Sequence, residues 1–434
     1  MMPIKRIRTH LKSDFFKSLT VLLSGTLIAQ AIGYAIAPIL TRLYDTAEMG
    51  ELALYMRITG FVAAMATLRY ELALPLPKNE GHSYLLYRLS LLLGVIVLLI
   101  CGTILTLFVL SGVAPKFEWW YVVMIVIGSA CLILINVGTN WSIRTGTFSL
   151  ISKQKIYNSF ISNGLKWIFA VFSWSYFGLI LATVLGYVFS SFSFLKNFTK
   201  IRGKYKGYVS KRKTYALMKE HKEFPLLNLP HVLVDNGRDM LVATLIFAYF
   251  SDSIFGSFSH SYNMLRIPIM LVGVSLSQVF YNQAVAKFNN KEELKPLFQK
   301  TTLILTAISL IPFIVLYFYG EPIFSWVFGS NWGDAGRYSE TMSFWLMVNF
   351  VISPVSSLPL ILGKQKIAFS LGVVSALIQV IPLWLIPELY GNSEEVFVKT
   401  LEVISYSQAV WLVFSFFVYY RFVTIYDTNL KTVS

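Results

Sequence analysis

Apolar runs of about 20 residues, each closed by a short polar stretch, recur from one end of the chain to the other. Twelve are counted, at residues 19–40, 50–70, 84–110, 119–139, 157–175, 178–195, 229–250, 254–280, 301–320, 341–362, 367–387 and 403–423. About 20 helical residues are needed to cross ~30 Å of hydrocarbon. The pattern therefore predicts an all-α polytopic membrane protein with 12 transmembrane helices. A transmembrane β-barrel would show ~10-residue segments of alternating polarity instead. The third and fourth runs, SLLLGVIVLLICGTILTLFVL and WWYVVMIVIGSACLILINVG, stand out most clearly, whereas the fifth and sixth are parted only by SYFG.

The 434 residues are 56% hydrophobic and 14% charged, against about 25% charged in an ordinary soluble domain. A formal net charge of +15 raises the question of nucleic acid. No zinc-finger spacing, RNA-binding signature or separate basic helix accompanies it, so nucleic acid is not an expected partner. The charges fall mostly in the loops, and one-sidedly. On the N-terminal side lie Lys5, Arg6, Arg8, Lys12, Lys17, Lys78, Arg144, Lys153 and Lys155, then ten basic residues from Lys196 to Lys222. Lys287, Lys291, Lys295, Lys300, Lys364, Lys366, Arg421 and Lys431 continue that side, while the opposite one holds Arg42, Lys116, Arg337 and Lys399. Such asymmetry orients membrane proteins with the basic loops inside, so both termini are expected in the cytoplasm. The N-terminal run is too long for a signal peptide's apolar core and lacks an A-x-A site, so it is expected to stay as the first helix. Cys101 and Cys131 lie within apolar runs and point to neither a metal nor a disulfide.

The basic stretch divides the chain into an N-terminal six-helix bundle (1–195), a cytoplasmic linker (196–228) and a C-terminal six-helix bundle (229–434). The linker's simplest role is to set topology and touch anionic headgroups; docking a partner protein is the other. The seventh run, LPHVLVDNGRDMLVATLIFAYF, carries Asp235, Arg238 and Asp239 within two turns, with His231 one turn earlier. Charges at membrane depth cost a few kcal/mol and normally face a polar interior or each other. His231, Asp235 and Asp239 share one helix face, and Arg238 is placed to pair with Asp235. Polar stripes at i, i+4, i+8 appear as Asn158–Ser162–Lys166, Asn349–Ser353–Ser357 and Gln30–Tyr34–Pro38. One stripe alone reads as interhelical glue worth about 0.6 kcal/mol per contact; several together read as the wall of a wet cavity. Pro38, Pro268, Pro312, Pro354 and Pro382 are expected to interrupt their spans.

The two halves echo each other faintly. TRLYDTAEMGELALYM follows the first run and FAYFSDSIFGSFSHSY the seventh, with Tyr44 and Gly50 matching Phe250 and Gly256. A glycine opening the next helix suits close packing, and parallel repeats are a transporter device.

Four ordered stretches carry a resemblance to a known family. They are LTVLLSGTLIAQAIGYAIAPILTRLYDTAEMGELALY, LRYELALPLPKNE, VFYNQAVAKFNN and VFGSNWGDAGRYSETMSFWL. With them the chain resembles the O-antigen and polysaccharide flippases (Wzx-type) of the MOP exporter superfamily, over nearly its whole length. The resemblance implies two six-helix bundles around a central cavity. It also implies transport of an undecaprenyl-pyrophosphate-linked oligosaccharide to the outer leaflet of a bacterial inner membrane, alongside polysaccharide-assembly partners such as a polymerase or chain-length regulator. For that cargo Arg57 and Arg266 are the leading pyrophosphate ligands, because a guanidinium binds phosphate oxygens bidentately and stays charged when desolvated. Arg69, with snorkelling to lipid as its simpler role, Arg238 and Lys166 complete the candidate set.

No GxxxxGK[ST] loop is present, so no nucleotide or other cofactor is expected. Proton or sodium coupling through Asp235, Asp239, His260 or Glu71 is the expected energy source, with balance of Arg238 as the simpler role for the two aspartates. Two other functions compete. A membrane polymerase or ligase would be expected to carry catalytic residues on a large outer loop, and the longest here, about 321–340, shows no nucleophile or metal arrangement. A multidrug antiporter would export cations, which an arginine-lined cavity repels.

Overall fold

The computed structural model describes residues 4–112, 118–267 and 273–433, and among these all regular structure is helical. The first six runs become α1 (Ile4–Leu43), α2 (Thr46–Ala66), α3 (Glu80–Leu110), α4 (Trp119–Thr145), α5 (Phe148–Val171) and α6 (Ser175–Lys204). A short α7 (Lys211–Glu220) occupies the basic stretch, a separate basic helix where none is expected from sequence. Then follow α8 (Leu229–Tyr249), α9 (Asp252–Leu265), α10 (Val274–Asn289), α11 (Lys295–Phe328), α12 (Gly333–Ile352), α13 (Leu358–Ile361), α14 (Gln365–Tyr390) and α15 (Glu394–Val433). The eighth run maps onto α9 and α10, and the tenth onto α12 and α13 with a 3-10 turn at Ser353–Ser357 between them.

Among the described residues, eight helices are long and apolar enough to cross a membrane. Outside that set fall α2, α5, α8 and the α9–α10 stretch. These are the elements that carry Arg57, Lys166, the Asp235–Asp239 group and His260. Charged and polar residues lower a span's hydropathy, so the weakest apolar signals coincide with the candidate site residues.

Several boundaries differ from expectation. The break between α5 and α6 falls at Phe172–Trp174, ahead of SYFG, where Ser173 and Ser175 take left-handed φ of 55° and 46°. Lys153 and Lys155 lie in α5 and Arg144 in the last turn of α4 rather than in a loop. Among the prolines, only Pro354 ends a regular helix, in the 3-10 turn after α12. Pro38, Pro312 and Pro382 lie inside α1, α11 and α14, with the break in α11 at Tyr319. Pro268 lies outside the described residues.

The chain forms two compact units: Met1–Tyr44 with Glu51–Met240, and Asp45–Gly50 with Leu241–Ser434. In the first, α1 packs on α5, with Ser152 and Ser159 hydroxyls donating to the Val21 and Ala29 carbonyls at 2.7 Å each. An aromatic core at one end gathers Tyr70, Tyr84, Tyr87, Trp141 and Tyr205. The basic stretch docks there: Leu217 of α7 is buried and the Tyr70 hydroxyl donates to the Met218 carbonyl at 3.1 Å.

In the second unit, α11, α12 and α15 pack around a core that includes Phe298, Phe350 and Tyr419. Asp427 of α15 is buried and accepts from the Leu294 and Lys295 amides at 2.9 Å each, capping α11. Beside it, hydrogen bonds from Lys287 to Glu292 and from Lys431 to Glu293 hold both carboxyls below the usual range. Asp427→Ala is expected to lose about 2 kcal/mol, the upper range for a helix cap. It should read as a lower melting temperature of the detergent-purified protein, and an unchanged melt would remove the cap.

Candidate functional site

Two features of the first unit draw the predicted residues together. The first is a charge cluster between α2 and α8. Arg57 Nη1 donates to Asp239 Oδ2 at 2.9 Å, while Arg238 Nε and Nη2 donate to Asp239 Oδ1 at 3.1 and 2.8 Å. All three side chains are about four-fifths buried, at 20–24% exposure. Two guanidiniums thus share one carboxylate, leaving the three side chains with a net charge of +1. Arg238 pairs with its neighbour Asp239 rather than with Asp235. Asp235 is instead 3.3 Å from His231, one turn away, and both are exposed.

The second feature is a cleft of about 440 Å³ bordered by α1, α5 and α6, with Met56 of α2 on its wall. Gln30, Asn158, Ser162 and Lys166 line it, joining the stripes predicted in the first and fifth runs. Lys155, Gln154, Asn163 and Thr183 line it too and were not singled out from sequence. Positions 155, 158, 159, 162, 163 and 166 make a full helical face at i, i+3, i+4, i+7, i+8, i+11. Reading Lys155 as loop hid the start of that face. Lys155 Nζ donates to Thr26 Oγ1 at 2.9 Å, and Gln154 Nε2 to Ser190 Oγ at 3.2 Å. The Lys166 ammonium has no ion pair or hydrogen bond among the described residues, and Asn158 Oδ1 is buried with its accepting capacity unused. The lining holds two ammonium groups and no carboxylate. Such a surface suits an anionic, hydroxyl-rich ligand.

Arg69 and Glu71 close on each other in the turn after α2. Their ion pair measures 3.2 Å, Thr67 also donates to Glu71, and Glu71 is buried. Leu68 and Arg69 hold φ of 50° and 63°, a strained conformation for non-glycine residues. Arg69 pairs with Glu71 within the LRYELAL turn and so helps to hold that turn. In the second unit His260 is walled by Phe328, Trp332 and Phe324, with ring centres 4.5, 4.6 and 6.1 Å away. Its Nε2 is buried without a hydrogen-bond partner. Arg266 caps α9, half-buried, its guanidinium 5.1 Å from the Tyr262 ring. Arg266 and His260 lie in one unit and the other candidates in the other.

Comparison with solved structures places the fold. The lipid II flippase MurJ in an inward closed conformation superposes with a TM-score of 0.69 at 12% identity, covering 95% of this chain and 90% of that one. An inward-facing multidrug resistance MATE transporter of the MOP superfamily gives 0.56 at 14%, covering 96% of each chain. A MOP superfamily transporter from Pyrococcus furiosus, described by the reverse polarity of its binding pocket, gives 0.51 at 15%, covering 96% of each. At these identities the likeness establishes the fold alone: a polytopic all-helical architecture shared over nearly the whole chain. Comparison with curated proteins returns no match. The model of the polysaccharide biosynthesis protein family matches residues 39–337, well over half of the chain, and the chain belongs to that family.

Proposed function

We propose that this protein is a flippase. It moves undecaprenyl-pyrophosphate-linked oligosaccharide units from the cytoplasmic to the outer leaflet of a bacterial inner membrane for surface polysaccharide, O-antigen or capsule. Both termini are cytoplasmic, and transport proceeds by alternating access. The observation that carries this reading is the Arg57–Asp239–Arg238 cluster, whose surplus positive charge is about four-fifths buried. A diphosphate supplies the missing charge and the geometry that guanidinium forks accept. The cleft beside Met56, with Lys155, Lys166, several amide and hydroxyl groups and the unsatisfied Asn158 amide oxygen, suits the sugar chain. Export of cationic drugs fits poorly, because nothing acidic lines that cleft.

Coupling to a proton or sodium gradient runs through Asp235 and Asp239 in this reading. Asp239 is the ion between two guanidiniums, and Asp235 is exposed beside a titratable histidine. Glu71 is committed to Arg69 and Thr67, and His260 is enclosed by aromatic rings, which leaves them lesser parts.

The test is reconstitution in proteoliposomes with a labelled polyprenyl-pyrophosphate oligosaccharide and an outer-leaflet quencher. Protein-dependent, gradient-dependent movement of label across the bilayer is expected. Lys166→Ala is expected to weaken transport by about tenfold, the worth of one charge-assisted contact. Movement of cationic dyes with no movement of the oligosaccharide would overturn the assignment.

A further inference from the structure

A second cavity, of about 410 Å³, lies in the first unit between the starting turns of α3, the last turns of α6 and the segment after α6. Arg88 and Arg202 face it together with Tyr84, Leu92, Val95 and Phe198. Neither guanidinium has an ion pair or hydrogen bond among the described residues, and no carboxylate lines the cavity. The nearby carboxylate, Glu80, is engaged by Lys204 at 3.0 Å and by the Tyr205 hydroxyl. Two exposed arginines on one apolar-walled cavity therefore lack a counter-charge.

Their depth says what kind of counter-charge fits. From Leu89 to Leu110 α3 carries no charged residue. Those positions span roughly 33 Å of helix, about the thickness of the hydrocarbon layer. Arg88 thus stands at the boundary between hydrocarbon and headgroups. Leu92 and Val95, one and two turns deeper, are 59% and 56% exposed and extend the wall toward the acyl region. A cation pair at headgroup level with an apolar track running inward matches the layout of a phospholipid.

The surrounding charge favours an anionic lipid. On α7, docked against this end of α3, Lys211, Arg212, Lys213 and Lys219 are all exposed. A cluster of this kind beside a membrane helix draws anionic lipid to its leaflet.

We infer that the Arg88–Arg202 cavity is a binding site for an anionic glycerophospholipid, its phosphate on the two guanidiniums and an acyl chain along Leu92 and Val95. The site is separate from the cluster proposed to carry cargo, and it holds a resident lipid rather than a passenger.

Native mass spectrometry of the full chain, purified in detergent and titrated with phosphatidylglycerol, tests this. The wild type is expected to retain phosphatidylglycerol over phosphatidylcholine. Arg88→Gln with Arg202→Gln is expected to lower that retention by about tenfold, and Arg88→Lys should recover part of it. Arg212→Gln with Lys213→Gln, which leaves the cavity intact, should retain lipid almost as the wild type does. Three results would overturn the site: undiminished retention in the arginine pair variant, equal retention of phosphatidylcholine, or displacement of phosphatidylglycerol by stoichiometric polyprenyl pyrophosphate. The last would make the cavity a loading station for the cargo. Because both arginines are exposed, the variants should fold, and Arg88→Lys remains informative if the glutamine pair does not.

Discussion

Arg57→Ala is expected to cut export of the lipid-linked oligosaccharide by ten- to a hundredfold while the protein inserts and folds normally. The asymmetry of the cluster gives that split. Asp239 holds Arg57 through one bond at 2.9 Å and Arg238 through two, at 3.1 and 2.8 Å. Removing Arg57 leaves the carboxylate paired, so no buried charge is orphaned and the fold loses little. The surplus positive charge does vanish, and with it a charge-assisted contact to phosphate worth about 1.5–3 kcal/mol, which is the stated factor in rate or affinity. Asp239→Ala differs, because it leaves two largely buried guanidiniums side by side and should cost stability as well as transport. Reversing the pair, Arg57→Asp with Asp239→Arg, separates the two roles: it keeps one ion pair across α2 and α8 and moves the cations together on α8. A purely structural pair would be rescued by the reversal. Accumulated lipid-linked precursor in cells and proteoliposome transport are the readouts, and full export by Arg57→Ala would sink the assignment.

What could be read from the sequence followed the physics of each signal. Spans were legible because apolar runs must cross a fixed thickness, so every predicted run has a helix. Boundaries were less so. The Phe172–Trp174 break lacks glycine and proline and rests on two serines in left-handed conformations. The helix start before Lys153 was invisible because two lysines near the start of a helix read like a loop. Candidate site residues were legible by type, since charges at membrane depth are few. Their partners were not: Asp239 binds Arg57, 182 positions away, as well as its neighbour Arg238, and not a partner one turn along its helix. Arg69 and Glu71 illustrate the same gap. Both are candidates by residue type, and the left-handed turn at Leu68 and Arg69 that brings them into an ion pair leaves no mark in the sequence.

Gly256→Ala is expected to prevent the second unit from forming, a severe structural effect for a single methyl group. A Cβ at Gly256 would stand 1.7 Å from the Thr46 carbonyl oxygen and 2.9 Å from the Gly50 amide nitrogen. The reciprocal Cβ at Gly50 would stand 2.2 Å from the Asp252 carbonyl oxygen. The first turns of α2 and α9 therefore meet backbone to backbone, with the Thr46 and Ser253 hydroxyls 2.5 Å apart across the contact. A flexible side chain can swing away from an added methyl; two helical backbones held by their own hydrogen bonds must separate. Overpacking of this kind costs about 3 kcal/mol or more, and it falls on the contact that fastens residues 45–50 into the second unit. Gly60 is the matched control on α2, since a Cβ there meets nothing within 4 Å. Gly60→Ala should gain a few tenths of a kcal/mol from helix propensity. The measurement is the monodisperse fraction after size-exclusion chromatography, together with the melting temperature. Glycine at both related positions then has a steric cause rather than a flexible one, and a Gly256→Ala protein that melts like the wild type would show the two turns do not touch.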